Sequence, residues 1–389
     1  MSIQPFIPYG HQWLDDGDIS AVSAALQSDW LTQGPLIAEF ERALARRCGA
    51  KFAVAVANGT AALHLAALAA GFGPGDEVIT SPITFVASAN CLLYTGACPG
   101  FADIDPVTYC LDPASVRRRI TPATRGLIPV HFAGQPCDMS ELGKIAREHE
   151  LLVIEDAAHA IGASYQLNGQ NNLVGSCAHS AMTIFSFHPV KHITSGEGGA
   201  VTTNSSELYE KLLLLRNHGI ARDPGRLERY DGPWYYEMQE LGFNYRITDF
   251  QCALGLQQLE RLTAFIERRL AISAAYDEAF RAMPELIIPV IRPGAFSSYH
   301  LYVLQLRTID RAQAFDQLRE QGLGVNVHYI PVHLQPYYAR KFGYLPGDFP
   351  EAERYYARAI SLPIFPRMND DDVRRVIRAI QRTVAELSP

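Results

Sequence analysis

An α/β fold built on a mostly parallel central sheet is what these 389 residues predict, and three observations carry that prediction. Strand-like and helix-like segments alternate from Phe52 to Glu150, the pattern of a sheet with helices on both faces. Leu151-Leu-Val-Ile-Glu-Asp156 is a continuous apolar run ending in carboxylates, which reads as a buried parallel strand presenting an acid at its C-terminal end. The strand-like Phe52–Ala57 gives way at Asn58-Gly-Thr60 to a helix-like Ala61–Leu68. A helix N-terminus after a tight glycine turn leaves free N–H groups and a positive dipole end, a ready site for a phosphate.

Taken in order, the first helix begins at Asp15 or Asp16, with Ile19, Val22 and Leu26 on one face. Asp29-Trp-Leu-Thr32 has no regular period, and Trp30 reads equally as core packing or as a loop residue. A helix carrying Leu36, Phe40 and Leu44 leads to the phosphate turn. Strands at 77–80, 100–103 and 126–131 then alternate with helices at 86–94, 113–120 and 139–150. After Asp156 come an apolar strand at 182–187, a short strand at 200–203, a leucine-rich helix at 207–218 and a polar stretch at 221–232, expected to be a mobile loop. A long helix from Thr248 to about Met283 ends at Pro284 and the Pro289, Pro293 and Gly294 cluster. Segments 300–306, 311–321, 325–329 and 370–387 suggest an α+β unit, so the chain divides into a large domain, 1–250, and a linking helix with a small domain, 251–389.

Bulk properties narrow the function. A net charge of −7 and 19% charged residues describe an ordinary globular chain and argue against a general nucleic-acid binder. The seven cysteines are an odd number with no C-x-x-C pair, the usage of reduced thiols. The N-terminus lacks a basic and apolar leader, and no apolar run reaches the roughly 18 residues of a membrane span, so a cytoplasmic protein is expected. No G-x-G-x-x-G follows a strand, and Gly71-Phe-Gly-Pro-Gly75 has the wrong order for a dinucleotide site. His188 and His192 are spaced like a metal pair, but Pro189 discourages a helix between them and no third ligand is apparent, so no metal is expected.

The candidate chemistry centres on Met182–Val201, where a strand delivers Lys191 into a turn of small residues with glycines at 196, 198 and 199. Alone, a lysine beside a glycine turn is usually a solvated surface charge. A desolvated lysine, however, loses its proton and condenses with an aldehyde, which is how pyridoxal 5′-phosphate (PLP) is held. Asp156, at the end of its strand, suits the protonated pyridine nitrogen of that cofactor, and equally the cap of the following Ala-Ala-His-Ala segment. Gly59 and Thr60 open the phosphate turn, and Phe85 lies just beyond a strand end, where it could stack on the pyridine ring or simply be buried. His159, three residues past Asp156, is within reach of the cofactor's phenolic oxygen.

With turn, acid and lysine in this chain order, the sequence resembles the sugar aminotransferases of the DegT/DnrJ/EryC1/StrS family, PLP enzymes of aspartate aminotransferase fold type I. The resemblance runs from about Tyr9 to the C-terminal helix. Phe-Ser-Phe-His-Pro-Val-Lys191, the Glu-Gly-Gly after it and Gly242-Phe-Asn-Tyr-Arg-Ile-Thr248 carry it. Asp29-Trp-Leu-Thr-Gln-Gly34, His159 and Val327-His-Tyr329 are similar to the members that serve pseudaminic acid biosynthesis, whereas many relatives have glutamine in place of His159. The resemblance implies that Lys191 and Asp156 are catalytic, that Ser186 binds the cofactor phosphate and that Phe85 stacks on its ring. It implies that Asn244 reaches the phosphate of a neighbouring subunit's cofactor, hence a homodimer with shared sites. It assigns Tyr9, Asp29, Trp30, Leu31, Thr32, Asn326, Val327, His328 and Tyr329 to the substrate. The implied reaction moves an amino group from glutamate to C4 of a UDP-linked 4-keto-6-deoxy-N-acetylhexosamine. Alternatives are a dTDP- or GDP-linked keto-sugar and a non-catalytic PLP-bound regulator, although no DNA-binding domain is added. Related dehydratases carry histidine in place of the lysine.

Overall fold

The computed structural model describes residues 5–167 and 169–388. Nine strands lie between Phe52 and Thr203: β1 (Phe52–Val56), β2 (Glu77–Thr80), β3 (Cys98–Phe101), β4 (Thr124–Ile128), β5 (Leu152–Asp156), the hairpin β6 (Ser164–Leu167) and β7 (Gln170–Leu173), β8 (Met182–Ser186) and β9 (Gly199–Thr203). Seven of them form one sheet in the order β1-β9-β8-β5-β4-β2-β3. β2, β3, β4, β5 and β8 are parallel, and only β9 runs against its neighbours β1 and β8. The predicted α/β class with a mostly parallel sheet is therefore the fold observed. Strands covered on both faces are largely apolar, and Val54, Ile79, Leu127, Ile154, Ile184 and Val201 are all buried. Phe40, Leu44 and Phe187 fill one face, and Leu63, Leu65 and Val78 the other.

The long helix, Asp249–Phe280, is opened by Thr248, whose hydroxyl caps it in a reciprocal pair with Gln251. Its first half buries Cys252, Leu259 and Leu262 in the core of the sheet, and its second half buries Ile272, Tyr276 and Phe280 in a separate cluster. That second core lies on a three-stranded antiparallel sheet, Leu286–Ile287, Tyr302–Leu306 and Ala359–Leu362, with helices Arg311–Glu320 and Asp370–Leu387. Ile7 belongs to this same core: it pairs with Leu323, and its carbonyl accepts from Gly324 N–H at 2.6 Å. The chain's start is thus stitched to its C-terminal unit, a link no local periodicity reports.

Several local expectations are corrected. The helix Asp16–Leu26 turns Ile19 and Leu26 outward and buries Asp18 and Ala25 instead. Asp18 has a partner inside, since its Oδ2 accepts from Gln258 and Arg261 of the long helix at 2.9 and 2.8 Å. Residues 325–329 form no strand, and their backbone pairs with Ser361 in one isolated bridge at Asn326. The segment after Asp156 is a turn and not a helix. The polar stretch from 221 contains a short turn, Pro224–Arg226, and a two-residue ladder joining Ile220–Ala221 to Glu237–Met238. Among the described residues no helix is long and apolar enough to cross a membrane.

Candidate active site

Strands β1, β5 and β8 all end at the same edge of the sheet, the edge at which open α/β sheets bind their ligands. There they surround a cavity of about 880 Å³. Tyr9, Gly59, Thr60, Phe85, Asp156, His159, Ser186, Lys191, Asn326, Val327, His328 and Tyr329 all line it. Residues as far apart in sequence as Tyr9 and Tyr329 are thus brought to one wall.

The turn at Asn58 is built by close backbone contact. Asn58 caps the helix Gly59–Ala69, its side chain accepting from Ala61 N–H at 2.8 Å. The Asn58 carbonyl takes Ala62 N–H, so the first two N–H groups of the helix are left at the cavity wall. A Cβ on Gly59 would stand 2.9 Å from that of Ser186, and one on Gly199 would stand 2.4 Å from the Asn58 carbonyl oxygen. Glycine at both places lets the helix head lie directly on the end of β8, with the Ser186 hydroxyl beside it.

Lys191 sits in a turn closed by its own N–H to the His188 carbonyl at 2.8 Å. Burial pushes its amine down to about 8, against the opposing pull of the nearby Asp156 carboxylate. Asp156 is buried, and both its oxygens are held: Oδ2 accepts from Ser88 Oγ at 2.6 Å and Oδ1 from Ala158 N–H at 3.1 Å. It therefore fixes the following turn as well as facing the cavity, so the two readings of this residue are compatible. The Ser88 hydroxyl also bonds Thr84 at 2.7 Å.

Aromatic rings form the remaining walls. Phe85 is 59% exposed, which excludes ordinary core burial and leaves its ring open over the cavity. The buried His159 pairs its Nε2 with the Tyr329 hydroxyl at 3.1 Å, and its ring lies 4.3 Å from that of His300. Burial and the nearby Lys191 keep His159 neutral, well below the usual histidine range. The Tyr9 and His328 rings are 5.2 Å apart. His328 Nδ1 pairs with Ser361 Oγ at 2.8 Å, and burial brings this histidine down to about 3.

Two predicted groups lie outside the cavity. Asn244 is exposed and bridged to Asn217. Asp29, Trp30, Leu31 and Thr32 are on the surface, Trp30 at 54% exposure, which removes core packing as its explanation. The Asp29–Thr32 segment packs against the end of the Gly242–Thr248 stretch, because Thr32 bridges Thr248 and the Leu31 carbonyl accepts from Asp249 N–H at 3.0 Å. Sequence reasoning missed Ser88, Tyr94, His188, Glu197 and Tyr245, which also contribute to the site. His188, Glu197 and Tyr245 stand inside the motifs that carry the family resemblance, and Ser88 stands three residues past Phe85 at helical spacing.

The residues present fit PLP: free N–H groups and a hydroxyl for a phosphate, an open aromatic face, a buried acid and a desolvated lysine in one cavity. Together with the sheet topology they define the class, a PLP-dependent aminotransferase. Residues 13–381 match the DegT/DnrJ/EryC1/StrS aminotransferase family, and the chain belongs to it. It is 43% identical over 384 residues to the spore coat polysaccharide biosynthesis protein SpsC of Bacillus subtilis, covering 97% of each chain. Among solved structures it is similar to Helicobacter pylori PseC, an aminotransferase of pseudaminic acid biosynthesis, with a TM-score of 0.88 at 31% identity over 98% of this chain and 100% of that one. It is likewise similar to Spr1654 of Streptococcus pneumoniae in its PLP form, with a TM-score of 0.90 at 28% identity over 98% and 99%. The protein is a PLP-dependent sugar aminotransferase.

Proposed function

We propose that the protein transfers the amino group of glutamate to C4 of a UDP-linked 4-keto-6-deoxy-N-acetylhexosamine, the activity of a UDP-4-amino-4,6-dideoxy-N-acetyl-β-L-altrosamine transaminase. The observation that carries this reading is the likeness to PseC along essentially the whole chain, with His159 and Val327-His-Tyr329 on the cavity wall in support. A second reading is another nucleotide keto-sugar, linked through dTDP or GDP; the greater identity to SpsC, named for polysaccharide biosynthesis, supports a sugar other than that of the pseudaminic acid route.

In this reading Lys191 holds the cofactor aldehyde, Gly59, Thr60 and Ser186 hold the phosphate, Phe85 covers the ring and His159 meets the phenolic oxygen. When bound, PLP supplies an electron sink that acidifies the donor's α-carbon. Lys191 Nζ would take that proton and give it back in the 1,3-shift, a task suited to an amine brought near neutral pH by burial. Asp156 keeps the proton on the ring nitrogen, and Ser88 keeps Asp156 aimed. Tyr9 and residues 326–329 orient the sugar. Asn244 and the Asp29–Thr32 segment, both outside the cavity, serve the site of a second copy, making a homodimer with shared sites. The cofactor residues fall in the 1–250 domain and the 326–329 wall in the 251–389 domain.

Turnover with UDP-, dTDP- and GDP-linked keto-sugars, with glutamate as donor and NMR of the product, tests the assignment. The UDP N-acetyl sugar aminated at C4 is the expected product; exclusive turnover of a dTDP or GDP sugar would overturn it. Borohydride reduction and peptide mass mapping should fix the cofactor on Lys191, and a label on any other lysine would refute that residue's role.

A further inference from the structure

Beside the acid that faces the cavity stands a second one that does not. Successive side chains of a strand point to opposite faces, so Glu155 turns away from the cavity that Asp156 lines, and it is buried. Its carboxylate gathers donors from separate segments: His131 Nε2 at 2.6 Å, Thr183 Oγ1 at 3.1 Å, and the Ser180 hydroxyl. None of these groups lines the cavity. The His131 tautomer follows from geometry, because its Nδ1 accepts from Cys137 N–H at 3.0 Å and the ring proton must sit on Nε2. All of Glu155's partners therefore donate. Burial alone would raise its carboxyl, but the His131, Ser180 and Thr183 donors hold it below the usual carboxylate range.

A buried, hydrogen-bonded carboxylate is a poor way merely to stabilise a sheet, since apolar residues of similar volume commonly do as well. What this one joins is specific. His131 lies just past β4, and its backbone N–H donates to the Asp156 carbonyl at 3.0 Å, while Asp156 N–H donates to the Pro129 carbonyl at 2.9 Å. Thr183 lies on β8 directly opposite Glu155 in the parallel register. The carboxylate thus ties β5 to the start of β8 and to the segment just past β4, one residue before the acid at the site.

We propose that Glu155 and His131 are positioning residues, a buried clamp on the far face of the sheet that sets where the Asp156 carboxylate stands on the near face. The proposal rests on the reading that Asp156 partners the cofactor's ring nitrogen. Ser88 and Ala158 hold the carboxylate oxygens; the clamp holds the backbone beneath them. Displacing a reacting group by about 1 Å costs on the order of 100-fold in rate, so a slack clamp would show in catalysis as well as in stability.

The test compares holoenzyme variants Glu155→Gln, Glu155→Asp and Asp156→Asn in single turnover with an amino donor that supports wild-type turnover, at saturating PLP. Alongside rate, it follows the absorbance maximum of the bound cofactor, the PLP dissociation constant and the melting temperature. Glu155→Gln, which keeps volume but presents an amide donor to groups that are themselves donors, should slow the loaded enzyme about tenfold. It should also shift the absorbance maximum in the direction seen for Asp156→Asn, and Glu155→Asp should recover part of both. A lowered melting temperature with wild-type rate and spectrum would reduce the clamp to packing and overturn the proposal. An inactive Asp156→Asn beside an unaltered Glu155→Gln overturns it alone, whereas wild-type behaviour of Asp156→Asn brings down the reading of Asp156 and the clamp with it. Should Glu155→Gln fail to fold, Thr183→Val removes one donor while keeping the shape, with about a threefold slowing expected and an unchanged rate refuting the proposal.

Discussion

Replacing Lys191 with methionine should make the cofactor-free protein more stable at neutral pH, although it abolishes amino transfer. The amine falls from 10.5 to about 8 on folding, chiefly through burial. At about 1.4 kcal/mol for each tenfold change in proton affinity, keeping it ionised inside the folded chain costs about 3 kcal/mol. Below pH 8 lysine is protonated in both states and the whole cost is present. Between about 8 and 10.5 the unfolded chain holds a proton that the folded chain has released, so wild-type stability rises with pH across that window. Above it the cost is gone. Lys191→Met is close in shape, and the other titrating groups are common to both proteins and cancel in the difference. Urea unfolding of both PLP-free proteins from pH 7 to pH 10.5, at one protein concentration, should show the variant ahead by about 3 kcal/mol at pH 7 and the gap closing as pH rises. A gap that stays constant with pH, or a wild type that is the more stable at pH 7, would refute the claim that this amine is desolvated in the fold.

Other outcomes follow from the same geometry. Gly59→Ala places a methyl 2.9 Å from the Ser186 Cβ; it should cost about 1–3 kcal/mol in thermal unfolding and weaken PLP binding, and wild-type cofactor affinity would count against the phosphate turn. Phe40→Ala empties a fully buried position packed on Gly255 and edge-on to Phe187, and urea titration should show a loss of about 3–5 kcal/mol.

Legibility in the sequence followed the range of the interaction. Asp156, Lys191 and the Asn58 turn were readable because each is marked locally, by an apolar run ending in an acid, a lysine in a small-residue turn, and a glycine between strand and helix. The antiparallel insertion of β9 between β1 and β8 left no such mark, since a strand buried on both faces reads the same in either direction. The amphipathic reading of the first helix failed at Ile19 and Leu26 because Arg261 and Gln258, over 200 residues away, make it favourable to bury Asp18 instead. Trp30 and Phe85 had equally good local explanations as packed residues, and only their exposure separated these. Ser88 was marked by nothing but its spacing from Phe85, because a serine in a helix shows its role only through the partner it finds.

By itself the sequence determined the class of sheet, the lysine and acid at its edge, and the kind of cofactor they suit, because period, turn chemistry and residue type are local properties. The tertiary structure alone decided that these groups share one cavity, that burial lowers the lysine's proton affinity, and that Glu155 is tied to His131 behind the site. Desolvation and hydrogen-bond partnership depend on which distant segments close over a residue, and nothing in the order of its immediate neighbours carries that information.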